Sequence, residues 1–291
     1  MPELPEVETT VRGLKPKALN RAFVGVWSDW EKLVKMPKTF FEFEKEIKNK
    51  KINNVWRRAK NIIFDLSGGY SLLVHQKMTG HLLVGNWQKI NNNWQPQKEG
   101  PLNDPYNRFI HLMFFFDNGT MMALSDVRKF AKVELWETEE LLNSEEFKKI
   151  GPEPLDKKFT FEKFKEIFKN KKGKIKQILM DQSLIAGIGN IYASEALWYA
   201  KIHPEKITFK LTEKELKNLY QSIKKVLELS VKLGGESFSD YRKPDGTKGD
   251  FDTERRAYNR EGQKCARCGT KIKRIKVGQR SAFFCPKCQK L

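Results

Sequence analysis

Cysteine is scarce in this sequence: there are four in 291 residues, and none precedes position 265. A disulfide framework is therefore excluded upstream of that point, where apolar burial must hold the chain together. Long apolar runs are missing too. The densest, LMFFF at 112–116, is far too short to cross a bilayer, and the opening residues carry acids where a secretory leader would be apolar. A cytoplasmic protein with no membrane association is expected. Acidic residues are also under-represented, with 36 Asp plus Glu against 55 Lys plus Arg, for a formal net charge of +19. That excess points to a phosphate-bearing partner, nucleic acid first, although lysines on solvated helix faces such as FEKFKEIFKNKKGKIK at 161–176 account for part of it. Apolar residues are plentiful overall: 39% hydrophobic and 12% aromatic content can fill a core in each of two domains.

Val7, Val11 and Leu14 recur at helical spacing behind Pro5, which suits a first helical position, so a short amphipathic helix is expected over 5–14. The acids of its first turn, Glu3 and Glu6 among them, complement the helix dipole, which is explanation enough for them in the absence of other motifs. From there to about residue 137 the signals are those of strands. NIIFDLSGGYSLLVH at 61–75 reads as a hairpin about Gly68-Gly69, and FIHLMFFFDNGTMMALSD at 109–126 as a second through Asn118-Gly119. An antiparallel β-sandwich follows, with the polar stretch 86–106 as a long surface loop. GPEPL at 151–155 is the best domain boundary. Beyond it, 160–170, 174–182, 191–201 and 212–234 carry helical spacing, whereas the polar, Gly-rich 234–252 reads as a mobile loop. The expected fold is thus α+β with two domains: a sandwich over 1–150 bearing the terminal helix, a linker at 151–159, a helical domain over 160–258 that includes the loop 234–252, and a cysteine-bearing ribbon over 259–291.

The strongest local motif is Cys265-x2-Cys268, sixteen residues, then Cys285-x2-Cys288. Two thiolate pairs can close a tetrahedral site around one Zn2+, leaving no open position, so the metal is structural rather than catalytic. An iron–sulfur cluster or two disulfides are weaker alternatives. Between the pairs, Lys271, Lys273, Arg274, Lys276 and Arg280 make a basic hairpin suited to phosphates. In DQSLIAGIGNIYASEAL at 181–197, a Gly-Ile-Gly turn sets backbone amides and Asn190 at a helix start, which is a phosphate cradle or a simple packing turn. HQKMTG at 75–80 and DVRKF at 126–130 place Met78, Arg128 and Phe130 on loops leaving strands. Met and Phe are common wedges between bases, and an arginine beside them can bond a base that has lost its partner. Taken singly, each of these, and His75 likewise, is explained as well by packing.

Taken together, PELPEVETTVRGL, RRAK at 57–60, HQKMTG, DVRKF, DQSLIAGIGNIYASE and QRSAFFCPKCQK resemble the bacterial formamidopyrimidine-DNA glycosylases, also called 8-oxoguanine DNA glycosylases, along the whole chain. The resemblance implies an N-terminal β-sandwich, a helix–two-turn–helix domain and a zinc ribbon. It also implies a monomer that acts on damaged double-stranded DNA in base excision repair, with glycosylase and AP lyase activities. By position, Pro2 matches the nucleophile, Glu3 the acid beside it and Glu6 a supporting acid. Lys60, His75, Asn190 and Arg280 match phosphate or near-site contacts, with Lys60 also close to the catalytic centre. Met78, Arg128 and Phe130 match the trio that fills the gap left by an extruded base, and Ser237 to Tyr241 lie where the base would be recognised. Four positions depart from the family pattern: Gln76 stands where leucine is common, Val127 where proline is usual, and Ala131 and Asn259 where glycine is usual.

The implied chemistry explains a proline at position 2. Once the methionine is removed, Pro2 offers a secondary amine of reference pKa ~8, more readily deprotonated at neutral pH than a lysine at ~10.4. Such an amine can attack the sugar's anomeric carbon and form an iminium. Two other readings stand beside this one. An endonuclease VIII type enzyme shares the architecture but prefers oxidised pyrimidines. A non-catalytic zinc-ribbon binder explains the charge and cysteines, but leaves Pro2 without a reason.

Overall fold

The computed structural model describes residues 1–237 and 240–291. The chain divides into two compact units, residues 1–148 with 233–252, and residues 149–232 with 253–291. The first opens with helix α1 (Leu4–Ala18), followed by β1 (Phe23–Ser28), β2 (Val34–Met36), α2 (Phe40–Ile47), β3 (Ile52–Arg58), β4 (Asn61–Leu66), β5 (Tyr70–His75) and β6 (His81–Gly85). It continues with β7 (Trp87–Ile90), β8 (Asn93–Pro96), β9 (Ile110–Phe116), β10 (Met121–Ser125), β11 (Lys132–Glu137) and the short helices α3 (Thr138–Asn143) and α4 (Glu145–Lys148). Helix α2, capped by Thr39 and Glu42, interrupts a region expected to be strands throughout.

Two sheets form the sandwich, ordered β1-β9-β10-β6 and β2-β11-β5-β4-β3, with only the β2–β11 pairing parallel. Alternation decides which side chains meet between them. Leu112, Phe114 and Phe116 of β9 join Ile62, Phe64 and Leu66 of β4 and Leu72 and Val74 of β5 in one buried cluster, and Val7, Val11 and Leu14 of α1 enter the same cluster. The two hairpins turn where expected, with Gly68, Gly69 and Gly119 at positive φ.

The stretch 86–106 is not the open surface loop expected of it. β7 and β8 pair through Asn91-Asn92, both at positive φ as a tight two-residue turn requires, and Trp87 is 2% exposed. The cause lies in the LMFFF run. β9 is apolar on both faces, so Met113 and Phe115 need a cover on the side away from the core, and Trp87, Trp94 and Leu102 provide it.

The second unit holds α5 (Phe161–Phe168), α6 (Ile175–Leu179), α7 (Asn190–Ala200), α8 (Glu213–Lys232) and the hairpin β12 (Lys273–Val277) with β13 (Arg280–Phe284). The cysteine ribbon shares a core with α7: Trp198 packs with Ala257, Ile272, Phe283 and the buried Cys265 and Cys285. The loop 234–252, expected within the helical domain and as mobile, groups by its contacts with the first unit, which takes in residues 233–252. Pro244 and Arg242 are tied there: Val84 donates to the Pro244 carbonyl at 2.8 Å, and Arg242, 1% exposed, pairs with Asp104 at 3.0 Å. Of the expected base-recognition span, Phe238 and Ser239 lie outside the described residues.

Candidate functional site

In the first unit the site begins where α1 begins. Pro2 is buried, and Glu3, 2% exposed, is the N-cap residue in extended conformation. Because Val7, Val11 and Leu14 are core side chains, the residues ahead of them are held firmly in place. Glu6 does much of the local fastening. One of its carboxylate oxygens accepts the Glu3 N–H at 2.8 Å, and the other accepts the Glu236 N–H at 2.7 Å. Its backbone carbonyl accepts the Tyr241 hydroxyl and the Thr10 hydroxyl, each at 2.9 Å. Burial pushes the Tyr241 hydroxyl's pKa upward, so it stays a donor. Gly235, at φ +84, allows this approach: a Cβ there would sit 3.0 Å from the Glu6 side chain. Glu6 thus joins the start of α1 to the 233–252 segment.

Lys60 sits in the tight turn between β3 and β4 and is 8% exposed, its turn set by Ala59 at φ +53. β-sheet register places Asn61 opposite His75 at the end of β5. The Lys77 N–H donates to His75 Nδ1 at 2.9 Å, so the proton of the neutral ring resides on Nε2. Burial first, then the charges of Lys77, Lys60 and Lys132, push the His75 pKa down to about 3. At neutral pH this side chain is an uncharged donor through Nε2.

Met78 lies in the turn that follows, partly exposed. Arg128 is exposed, and its guanidinium lies 4.6 Å from the centre of the half-exposed Phe130 ring. Both side chains project from a loop whose backbone is fastened to the buried carboxylate of Asp126. The N–H groups that meet the Asp126 carboxylate are those of residues 128, 130 and 131, so valine at 127 displaces none of them, and Ala131 is simply buried. Gln76 is different. It is 1% exposed, and both polar atoms of its amide are buried without a hydrogen-bond partner.

In the second unit, Gln182 shapes the glycine turn, accepting the Gly187 N–H at 2.9 Å and donating to the Ile188 carbonyl at 2.7 Å. Asn190 follows as the first residue of α7. Ser194 donates to the Asn190 carbonyl at 2.9 Å and accepts from Lys176 Nζ at 2.7 Å, and Lys176 also donates to the Ser281 carbonyl at 3.0 Å. Asn190 and the exposed Arg280, next to Ser281, are thereby joined through the buried Lys176. Glu195, fully buried, accepts the N–H groups of Arg256, Ala257 and Tyr258 at 2.8, 2.9 and 2.7 Å, tying α7 to the chain that enters the ribbon. Burial raises its pKa although these three amides oppose the shift.

The four thiolate candidates Cys265, Cys268, Cys285 and Cys288 bring their Sγ atoms within 4.8 Å of one another and form no disulfide. Tetrahedral Zn–S geometry needs sulfurs about 3.8 Å apart. The closest pairs, Cys268–Cys285 at 3.5 Å and Cys268–Cys288 at 3.4 Å, are near that value, so the set fits one structural zinc.

Pro2, Glu3, Glu6, Lys60, His75, Met78, Arg128 and Phe130 all belong to the first unit, and Asn190, Arg280 and the cysteines to the second. Sequence reasoning passed over Thr79, Asp126, Gln182 and Glu195. Only Asp126 and Gln182 carried a local signal, an acid and an amide beside a turn.

Comparison with known proteins bears on the whole chain. Residues 1–133 match the formamidopyrimidine-DNA glycosylase N-terminal domain, residues 150–242 the H2TH domain of the same glycosylase, and residues 262–291 a zinc finger found in FPG and IleRS. The formamidopyrimidine-DNA glycosylase of Pelotomaculum thermopropionicum is 38% identical over 291 residues, covering all of both chains. That of Pediococcus pentosaceus is 39% identical over the same span. A Lactococcus lactis FPG mutant solved with Fapy-dG containing DNA superposes with a TM-score of 0.87 at 35% identity over both full chains. MutM in complex with carbocyclic 8-oxo-G containing DNA superposes at 0.86, again with 35% identity and full coverage. The fold, the zinc-binding cysteines and these full-length relatives together make the chain a member of the formamidopyrimidine-DNA glycosylase family of DNA-repair enzymes.

Proposed function

We propose that this enzyme is a bifunctional DNA glycosylase and AP lyase that excises oxidised purines, 8-oxoguanine and formamidopyrimidines, from duplex DNA. The observation that carries the reading is the full-length likeness to glycosylases solved with Fapy-dG and 8-oxo-G containing DNA, together with a buried Pro2 held at the start of a core-anchored helix. With Met1 removed, the Pro2 nitrogen attacks C1′ of the damaged nucleotide as the bond from C1′ to the base breaks. The resulting iminium makes the C2′ proton acidic, and successive β- and δ-eliminations release the 3′ and then the 5′ phosphate, nicking the strand. Glu3, adjacent to the amine, protonates the opening sugar ring and shuttles protons in the eliminations, work typically worth ~10²–10⁴-fold.

Lys60, His75, Asn190 and Arg280 hold phosphates. His75 does so as a neutral Nε2–H donor, while the charge of Lys60 works toward a free-base amine and that of Glu3 works against it. Met78, Arg128 and Phe130 occupy the gap left by the extruded base, offsetting the few kcal/mol that unstacking costs, and Arg128 bonds the orphan cytosine. Glu6 acts by holding Glu3 and the 233–252 segment in place. Within Ser237 to Tyr241, the Tyr241 hydroxyl is engaged by Glu6 and Thr10 and is not the base reader. The protein works as a cytoplasmic monomer.

Borohydride trapping tests this reading. A duplex with 8-oxoguanine opposite cytosine should give a covalent protein–DNA band with the Met-processed chain and none when Met1 or a tag remains ahead of Pro2. Absence of the band with processed protein defeats the proposal, and a band only with oxidised pyrimidines assigns the endonuclease VIII type activity instead.

A further inference from the structure

The two gap-filling loops are joined by a buried polar knot that none of the roles above uses. Asp126, fully buried at the end of β10, accepts four donors on its two carboxylate oxygens. Oδ2 takes the Phe130 N–H at 2.7 Å and the Ala131 N–H at 2.8 Å, while Oδ1 takes the Arg128 N–H at 3.3 Å and the Thr79 hydroxyl. Thr79 adjoins Met78 on the other loop, and its hydroxyl also accepts the Arg128 N–H at 3.1 Å. The Lys129 N–H closes the turn on the Asp126 carbonyl at 3.1 Å, with Lys129 itself in the left-handed region at φ +56. Between them, these bonds set the backbone at the two residues that project Arg128 and Phe130, and they fasten that backbone to the neighbour of Met78.

We propose that Asp126 and Thr79 are positioning residues that lock the Met78 turn and the Arg128–Phe130 loop into a single insert, and so determine which base is tolerated opposite the lesion. The proposal rests on the glycosylase reading above and adds a cause for its selectivity. An arginine on a free loop can rotate to meet either acceptor pattern of an orphan base. One whose own N–H is held by two buried oxygens presents its donors from a fixed origin, and base discrimination depends on that fixity. A buried carboxylate with four donors is also costly to disturb on one side only, which makes the knot a lock rather than a loose tether.

The test compares single-turnover nicking of two duplexes, with 8-oxoguanine opposite cytosine or opposite adenine, by the wild type, Thr79→Val, Thr79→Ser and Asp126→Asn. Removing the hydroxyl in Thr79→Val should lower the cytosine-to-adenine rate ratio about ten-fold, within the range that one well-placed base contact is worth. Asp126→Asn should lower it at least as far, whereas Thr79→Ser, which keeps the hydroxyl, should restore the ratio. A purely structural role would slow both duplexes together and leave the ratio unmoved. Unchanged ratios in both Thr79→Val and Asp126→Asn overturn the proposal, as does a wild type that nicks both duplexes equally. If Asp126→Asn does not fold, the Thr79 pair decides the matter. A wild type that nicks neither duplex refutes the glycosylase reading itself, which is a separate outcome.

Discussion

Replacing Gln76 by leucine should make this protein more stable. Gln76 is 1% exposed, and both its Oε1 and Nε2 are buried with no partner, so folding strips water from an amide and returns nothing for it. One such orphan group costs about 1–3 kcal/mol, whereas an apolar side chain of similar volume bears no such penalty. Leucine is close in size to glutamine, so the cavity or overpacking cost of the exchange should stay below about 1.5 kcal/mol. The net gain is then on the order of 1–2 kcal/mol, or roughly 2–8 °C in Tm for a unit of this size. Tryptophan fluorescence is a suitable probe: Trp27, Trp30, Trp56, Trp87, Trp94 and Trp136 lie in the first unit with Gln76, and only Trp198 lies in the second. Urea midpoints for the wild type and Gln76→Leu, with Gln76→Met as a check on volume, give the difference directly. A midpoint equal to or below that of the wild type would refute the reasoning, because it would mean that the amide is satisfied in solution.

Glu195→Ala leaves the buried Ala257 N–H and the partly buried Arg256 and Tyr258 N–H groups without their acceptor and should cost about 3 kcal/mol, read as a loss of melting temperature, with Glu195→Gln intermediate. His75 and His81 supply a pH dependence. In the unfolded chain each takes a proton near 6.5, but in the folded chain burial delays this to about 3 and about 4, so the unfolded state binds more protons in between and stability should fall as the pH drops below 6.5. A melting temperature that is flat or rising from pH 6.5 to 5, or an NMR titration of His75 centred near 6, would contradict this. Chelation should release one zinc per chain and make the 273–284 hairpin protease-sensitive, because the ribbon borrows its core from Trp198 and closes it with the cysteines. An unchanged digestion pattern would argue against the metal's structural role. Arg280→Ala should weaken DNA binding and reduce the slope of log K against log salt by about 0.9, one phosphate's worth, and an unaltered slope would remove Arg280 from the phosphate contacts.

What the sequence by itself determined was whatever is written within a few residues. The Cys-x2-Cys pairs foretell a four-sulfur site because two thiolates at that spacing grip one metal. Gly68-Gly69 and Asn118-Gly119 mark hairpins because those turns need conformations that other residues resist, and Val7, Val11 and Leu14 mark a helix face by period alone. Local reading failed where a stretch is shaped by what it must cover. Within the polar 86–106, residues 87–96 form a hairpin because β9 is apolar on both faces, and the Gly-rich 234–252 is fastened at Glu236, whose N–H meets Glu6 more than two hundred residues upstream. Tertiary structure alone decided the fastening of the site. Asp126 meets Thr79 across 47 residues and Glu195 meets Tyr258 across 63. A buried carboxylate must gather donors from wherever the fold brings them, and no periodicity along the chain records where that is.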